Sequence, residues 1–289
     1  MAILLGMTAA FGWGAASFIG RQTTQVLGAV SALLFSQLIS FCTILAYLLV
    51  SGELITRIDG SQWQWWAWSA FAATIHTMSL IMMFRSFETG VLAVVAPIAG
   101  SYSAITVFLS YLSGEQLIPP QIIGIAMAIT GVALIAIKPT PAGEPRRLMG
   151  GVGWAMGAAI GFGLGYWIIG FQVTPFLGGV THVLVVRTSS LFWLSLFFFV
   201  TGKRNLFVVP PNWRIFWLIV AASTCANLAY VANNIGYITG QVSIVSVLAS
   251  MNSAVAVLLA WQFLKERLQL TQWAGISCVL IGVALISTT

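Results

Sequence analysis

Charged side chains are scarce in this chain of 289 residues. They make up 6% of it, whereas apolar residues make up 59%, and soluble domains carry about 25% charged residues. A chain this long and this apolar is not a soluble globular protein, so the composition predicts an all-α integral membrane protein. Its basic residues stand singly or in pairs at segment ends. A nucleic-acid interface needs them clustered on one face, so we expect the lipid bilayer and no nucleic acid as a partner.

Residues that carry catalysis or bind metals are equally sparse. The chain has two histidines and three cysteines, and Cys42, Cys225 and Cys278 lie in separate apolar segments without metal or redox spacing. We expect them to be buried as small apolar residues. The sequence contains no GxxxxGK[ST], HExxH or GxSxG motif. It therefore predicts no metal, no cofactor, no direct use of ATP and no enzymatic activity.

The chain contains two copies of one unit. The stretch Glu115–Ile135 returns as Glu266–Ile286, an offset of 151 residues, with ten of 21 positions identical. The same offset places Gly12 on Gly163 near the start of each copy. Because one ungapped offset holds from the first segment to the last, we predict a repeat of residues 1–138, a loop of residues 139–149 and a second repeat of residues 150–289.

Each copy contains five apolar stretches long enough to cross a membrane as helices. Five is an odd number, so the second copy starts on the opposite side of the membrane and the repeats are inverted. This arrangement is typical of secondary transporters, with a central cavity between the copies. The ten predicted helices are Ala2–Gly20, Leu27–Val50, Trp65–Arg85, Gly90–Leu112, Gln121–Ile137, Gly150–Phe171, Gly178–Val200, Trp213–Gly236, Gln241–Phe263 and Leu270–Ser287.

Two halves of five helices, each with Glu-x-Leu before a Gly-x6-Gly helix, resemble the drug/metabolite transporter superfamily. The motifs are Glu115-x-Leu117 and Glu266-x-Leu268. Within the superfamily the chain is similar to the EamA-type ten-helix carriers, and its aromatic-rich interior resembles the bacterial aromatic amino-acid exporters. The resemblance implies a multi-pass protein of the bacterial inner membrane that binds a small-molecule substrate, as a monomer or weak homo-oligomer.

Polar and aromatic side chains inside the predicted helices are the candidates for substrate binding, because such residues in a membrane are mostly functional. An aromatic pocket with a few amides and hydroxyls is the usual composition of a small-molecule site. Hydrogen bonding between helices is the alternative, most evenly balanced for the serines. The candidates are Trp13, His76, Ser79, Met83, Ser101, Tyr102, Tyr166, Trp167, Asn227, Tyr230, Asn234 and Asn252.

Three further residues or sets of residues carry expectations. Pro97 lacks an amide hydrogen, so we expect it to act as a hinge in the fourth helix. Arg187 lies near the middle of the seventh helix, where we expect it to be a structural tie that caps backbone carbonyls or reaches an interface, with binding of a substrate carboxylate as the alternative. Small residues at four-residue spacing predict close helix packing. They are Gly153, Gly157, Gly161 and Gly165, and in the first copy Ala2, Gly6, Ala10 and Gly14.

The sequence thus predicts a secondary transporter that exports small amphipathic solutes, with aromatic or large neutral amino acids as the expected substrates. A broad-specificity drug or amine exporter and a channel-like facilitator are the alternatives. All six acids lie at loop or helix ends, which argues against proton antiport through a carboxylate relay and leaves His76 and His182 as titratable candidates.

The distribution of basic residues predicts the orientation. One end of the predicted bundle has only Arg57, so the positive-inside rule places both termini in the periplasm. The family resemblance favours the opposite orientation. The other end collects Arg21, Arg85, Lys138, Arg146, Arg147, Lys203, Arg204, Arg214, Lys265 and Arg267.

Overall fold

A computed structural model describes residues 1–89, 98–136, 151–201, 208–264 and 269–287. These residues form helices, and no strand occurs among them. The helices are α1 (Ala2–Leu27), α2 (Ala29–Val50), α3 (Glu53–Gly60), α4 (Trp63–Thr89), α5 (Tyr102–Leu112), α6 (Pro119–Ala136), α7 (Val152–Ile168), α8 (Thr174–Leu177), α9 (Gly179–Thr201), α10 (Trp213–Thr239), α11 (Val242–Ser250), α12 (Asn252–Leu264) and α13 (Leu270–Ser287).

Among the described residues, six helical stretches are long and apolar enough to cross a membrane. Three shorter apolar helices accompany them: Ile98–Leu112, Pro119–Ile135 and Leu270–Ile286. The predicted fold class is therefore shown as a multi-pass helical membrane protein. The six stretches are Ala2–Leu27, Val30–Val50, Val152–Leu177, Gly179–Val200, Trp213–Thr239 and Val242–Phe263.

The last helices of the two copies, α6 and α13, pack against each other through their glycines. A Cβ atom added to Gly124 would lie 2.6 Å from the Gly282 carbonyl oxygen, and one added to Gly131 would lie 2.6 Å from that of Gly275. The pairing order reverses along the chain, so the two helices cross in antiparallel directions. Only glycine permits this approach, so α6 and α13 pack closely at these positions.

The first helix of each copy packs against the third predicted span of the other. Helix α1 packs against α10, and α7 packs against α4. Cβ atoms added to Gly12 and Gly161 would clash with the Cys225 carbonyl oxygen at 2.8 Å and with Ser79 Oγ at 2.1 Å. The predicted glycine stripe on α7 is therefore a packing surface, except at its first member. No atom of the described residues lies within 4 Å of a Cβ at Gly153.

Several boundaries differ from the predicted ones. The first helix extends seven residues past Gly20 to Leu27. The sequence analysis missed α3, an eight-residue amphipathic helix with Ile55 and Ile58 exposed. It is too short to span a membrane, and its exposed apolar side chains suit the membrane–water interface. The expected burial of the cysteines was wrong, since Cys42 is exposed on the outside of the helical bundle.

Two of the predicted spans are interrupted. The ninth predicted helix is divided into α11 and α12 at Met251, whose amide donates to the carbonyl of Leu248, three residues back, rather than four. Ser101 makes the corresponding bond to Ile98 in the first copy. A π-helical turn, Ile169–Val173, follows α7. The proposed hinge Pro97 lies outside the described residues.

One end of the bundle, which we call the upper end, holds Arg57, Glu115, Phe176 and Gln241. There Glu115 accepts hydrogen bonds from the amide of Val242 and from the amide and hydroxyl of Ser243. Helix α11 thus begins on a carboxylate supplied by the other copy.

Two further bonds join the copies at the upper end. Gln241 Nε2 donates to the carbonyl of Gln116 at 2.7 Å, and Arg57 Nη1 donates to the carbonyl of Phe176 at 3.3 Å. The upper end is therefore closed by contacts between the two copies in this conformation.

Candidate functional site

A hydrogen bond between two buried side chains lies at the centre of the candidate site. Tyr230 on α10 and His76 on α4 are 7% and 8% exposed, and the Tyr230 hydroxyl is hydrogen-bonded to His76 Nε2. The two helices come from different copies. Sequence reasoning selected both residues, and the structure brings them together across the interface between the copies.

Aromatic rings surround this pair on several sides. The ring centroid of Trp13 lies 5.0 Å from that of Tyr230, and the ring centroid of Tyr166 lies 5.8 Å from that of His76. The ring centroid of Tyr102 lies 5.3 Å from that of Tyr166. Most of the ring pairs in this group are tilted or edge-on, and aromatic quadrupoles favour these arrangements. We call the group the aromatic cage: Trp13, His76, Tyr102, Phe162, Tyr166 and Tyr230.

Helix periodicity explains why these residues meet. Phe162 and Tyr166 are four residues apart on α7, and Asn227 and Tyr230 are three apart on α10, so each pair shares a face. The sequence analysis missed Phe162, although its spacing from Tyr166 was visible. Its repeat partner Phe11 is 57% exposed, which shows that the two copies place equivalent residues in different environments.

Arg187 lies directly behind the cage and is 4% exposed. Its Nε and Nη2 both donate to Asn227 Oδ1, at 3.2 and 3.0 Å, and its Nη1 donates to Gln37 Oε1 at 3.1 Å. The guanidinium carbon stands 4.7 Å from the centroid of the Tyr230 ring. Arg187 does not cap backbone carbonyls, but its contacts with side-chain amides on α2 and α10 make it a tie between helices, which is the structural role expected of it.

Asn227 is held in place from its other end. Its Nδ2 donates to the carbonyl of Ser40 on α2 at 3.2 Å, so its Oδ1 points at Arg187. The sequence analysis selected Asn227 and missed both Gln37 and Ser40. Gln37 is an amide inside a predicted span, so its polarity was a signal that was not used. Ser40 takes part through its backbone carbonyl, which no sequence pattern marks.

The other predicted candidates lie at or beyond the edge of the cage. Met83 packs beside it as a partly buried side chain. Ser79 Oγ bonds the Ile75 carbonyl on its own helix, and Ser101 Oγ bonds that of Ile98 in the same way. Asn252 is half-buried at the start of α12, and its side chain makes no hydrogen bond among the described residues.

The two remaining candidates bond elsewhere. Asn234 Nδ2 donates to the Gly179 carbonyl at 2.8 Å, and Trp167 Nε1 donates to Ser113 Oγ at 2.8 Å near the upper end. These contacts join helices, which is the alternative role that polar residues in a membrane can take.

Another polar contact, missed from the sequence, involves the second histidine. His182 is fully buried on α9, and its Nδ1 lies 2.8 Å from Ser69 Oγ on α4. Its Nε2 has no hydrogen-bond partner among the described residues. The partner of His182, Ser69, is not a residue of the aromatic cage, so this polar contact is separate from the cage.

A cleft of about 490 Å³ lies on the surface of the upper end. It lies between α3 and the end of α8 and is lined by Glu53, Thr56, Arg57, Gly60, Ser61 and Phe176. Trp65 stacks on Phe176 nearby, with ring centroids 3.6 Å apart. The cage side chains contact one another beneath this closed end.

Comparison with known proteins identifies a family and a fold. The model of the EamA-like transporter family matches residues 1–137 and 149–288, one match for each copy. A protein of known crystal structure superposes with a TM-score of 0.78 over 99% of this chain and 96% of its own, at 16% sequence identity, which shows a shared fold. No curated protein matches the sequence.

Proposed function

Since the chain belongs to the EamA-like transporter family, we propose that it is a secondary exporter of small amphipathic solutes. The proposed substrates are aromatic or large neutral amino acids, and the proposed membrane is the bacterial inner membrane. The observation that carries this proposal is the aromatic cage, built around the His76–Tyr230 hydrogen bond at the contact between the two copies.

The chemistry of the cage suits an amphipathic solute. The rings of Trp13 and Tyr166 offer apolar faces, whereas His76 and Tyr230 offer neutral hydrogen-bonding groups. The acidic residues whose side chains are described (Glu53, Asp59 and Glu115) all lie in or beside the helix ends at the upper end. None of these described carboxylates lies at the cage to pair with a cationic solute, and the guanidinium of Arg187 lies beside it, so this composition favours neutral and zwitterionic solutes.

We further propose that the two copies move against each other as inverted repeats of five helices. The antiparallel packing of α6 on α13 supports the inversion. The interruption at Met251 gives the second copy a helix whose halves, α11 and α12, can tilt, and Ser101 makes the corresponding backbone bond in the first copy. In this mechanism the upper end opens when the contacts of Glu115 and Arg57 break, and the cage side chains then separate to admit or release solute.

Export by cells tests the proposal. Expression of the chain is expected to make cells resistant to toxic analogues of aromatic amino acids, and Tyr230→Ala and Asn227→Ala are each expected to reduce this resistance at equal membrane expression. Tyr111→Ala is the matched control, because Tyr111 is 62% exposed and outside the cage. Normal export by both Tyr230→Ala and Asn227→Ala, or resistance to cationic dyes in place of amino-acid analogues, would contradict the proposal.

A further inference from the structure

Arg187 is a buried charge with neutral partners. Burial of an unpaired ion is costly, and the cost is normally met by an opposite charge. Among the described residues, however, its hydrogen-bond acceptors are the amides of Asn227 and Gln37, and its third neighbour is the face of Tyr230. No carboxylate of the described part of the chain pairs with it, so one positive charge stays uncompensated beside the cage.

The guanidinium also retains free hydrogen-bonding capacity. It has five N–H donors, and three of them reach Asn227 and Gln37. The other two have no acceptor within the described structure. The Nε/Nη2 edge of the guanidinium is occupied by Asn227. The two remaining N–H groups, one on Nη1 and one on Nη2, are donors for charge-assisted hydrogen bonds to a carboxylate.

The position of Arg187 relative to the cage defines what it would bind. Tyr230 separates the two, with its ring against Arg187 and its hydroxyl on His76. An acid group at Arg187 would leave the rest of a solute about one side chain away, beside Trp13 and Tyr166. We infer that Arg187 binds the carboxylate of the substrate while the aromatic cage covers its apolar part.

This inference rests on the proposed function, because it places the solute at the same cage, and it names the substrate class as organic carboxylates. The alternative role for Arg187 is a permanent structural tie between α2, α9 and α10. A substitution that places a carboxylate side chain next to Arg187 distinguishes the two roles. It would strengthen a structural tie, whereas it would occupy a binding site and compete with the substrate.

Gln37→Glu makes this distinction with a nearly isosteric change. Gln37 Nε2 makes no hydrogen bond among the described residues, so the substitution removes no donor bond and adds a carboxylate 3.1 Å from Arg187 Nη1. Gln37→Met is the matched control. It removes the same bond to Arg187 without adding charge, so any loss that the two variants share comes from the bond itself.

Purified wild type and both variants would be reconstituted in proteoliposomes and tested with three probes. These are L-phenylalanine, 3-phenylpropionate, which lacks the amine, and phenethylamine, which lacks the carboxylate. Wild type is expected to exchange the two carboxylates in preference to the amine. Gln37→Glu is expected to remain as heat-stable as wild type and to lose affinity for both carboxylates by about tenfold or more relative to Gln37→Met.

Each outcome separates the inference from the proposed function. A stable Gln37→Glu protein that exchanges carboxylates as well as Gln37→Met does would overturn the role of Arg187 and leave amino-acid export standing. Exchange of 3-phenylpropionate but not phenylalanine by wild type would support Arg187 and refute the amino-acid proposal. Exchange of phenethylamine alone would refute both. If Gln37→Glu does not fold, Arg187→Lys is expected to keep the carboxylate preference and Arg187→Gln to lose it, and equal preference in the two would refute the inference.

Discussion

Removal of the Glu115 carboxylate is expected to destabilise the closed state of the upper end of the bundle. Glu115 is half-buried and accepts three hydrogen bonds from Val242 and Ser243. These are the first residues of α11, whose amides have no acceptor within their own helix. Because Glu115 lies in one copy and α11 in the other, the bonds hold only while the copies are closed at this end.

The expected magnitude follows from helix capping. Loss of a side-chain cap costs about 0.5–2 kcal/mol, and loss of a negative charge at a helix N-terminus costs about 0.3–1 kcal/mol. Glu115 is partly exposed to solvent, which weakens the charge effect, so we expect Glu115→Ala to destabilise the closed upper end by about 1–2 kcal/mol. Such a change shifts a two-state equilibrium about 5- to 30-fold.

Thiol labelling measures this shift. The three native cysteines would be replaced, and Ser110→Cys would serve as the reporter. Ser110 is fully buried near Glu115, and its hydroxyl has no hydrogen-bond partner among the described residues. A membrane-impermeant maleimide is expected to label it about 5- to 30-fold faster in Glu115→Ala. Asp59→Ala removes an acid from the same end without touching α11 and is the control. Equal labelling rates in folded Glu115→Ala and in this control would show that Glu115 does not hold the upper end closed.

Three other expectations concern packing, the cage and orientation. Gly131→Ala forces a Cβ to within 2.6 Å of the Gly275 carbonyl and is expected to cost about 1–3 kcal/mol of stability, seen as a lower melting temperature; Gly153→Ala, with open space around it, is the control, and equal melting temperatures would contradict the packing. Tyr230→Phe keeps the ring but leaves His76 Nε2 buried without its partner, so thermal unfolding is expected to show a loss of about 1–3 kcal/mol, and an unchanged stability would mean that water replaces the hydroxyl. A C-terminal alkaline phosphatase fusion is expected to be active, as the charge distribution requires, whereas an inactive phosphatase with a fluorescent GFP fusion would reverse the orientation.

Much of the fold was readable from the sequence because a membrane imposes simple rules. Hydropathy marks spanning helices, and the internal repeat matches the two segments that the family model covers. The helix α3 escaped notice because an eight-residue amphipathic stretch gives no hydropathy signal. The division at Met251 also gave none, since Met251 is an ordinary helix former and the change is one of hydrogen-bond register.

The site was predictable to the extent that polarity inside a span is rare. His76, Tyr230 and Asn227 stood out for that reason, and they do lie at the contact between the copies. What the sequence did not contain is which neighbour each residue meets. Gln37 has that same rare polarity, but its role as acceptor for Arg187, like the role of Phe162 as a wall of the cage, is fixed by tertiary packing.

Counterflow in proteoliposomes tests transport itself most directly. Vesicles containing the purified protein would be loaded with unlabelled L-phenylalanine and diluted into a trace of the labelled solute, with empty vesicles and Tyr230→Ala as controls. A carrier that alternates between two closed ends is expected to accumulate label transiently above its external concentration, because exchange is faster than net efflux. Label that only equilibrates would indicate a channel-like pathway, and no protein-dependent uptake of any aromatic or large neutral amino acid would contradict the proposed function.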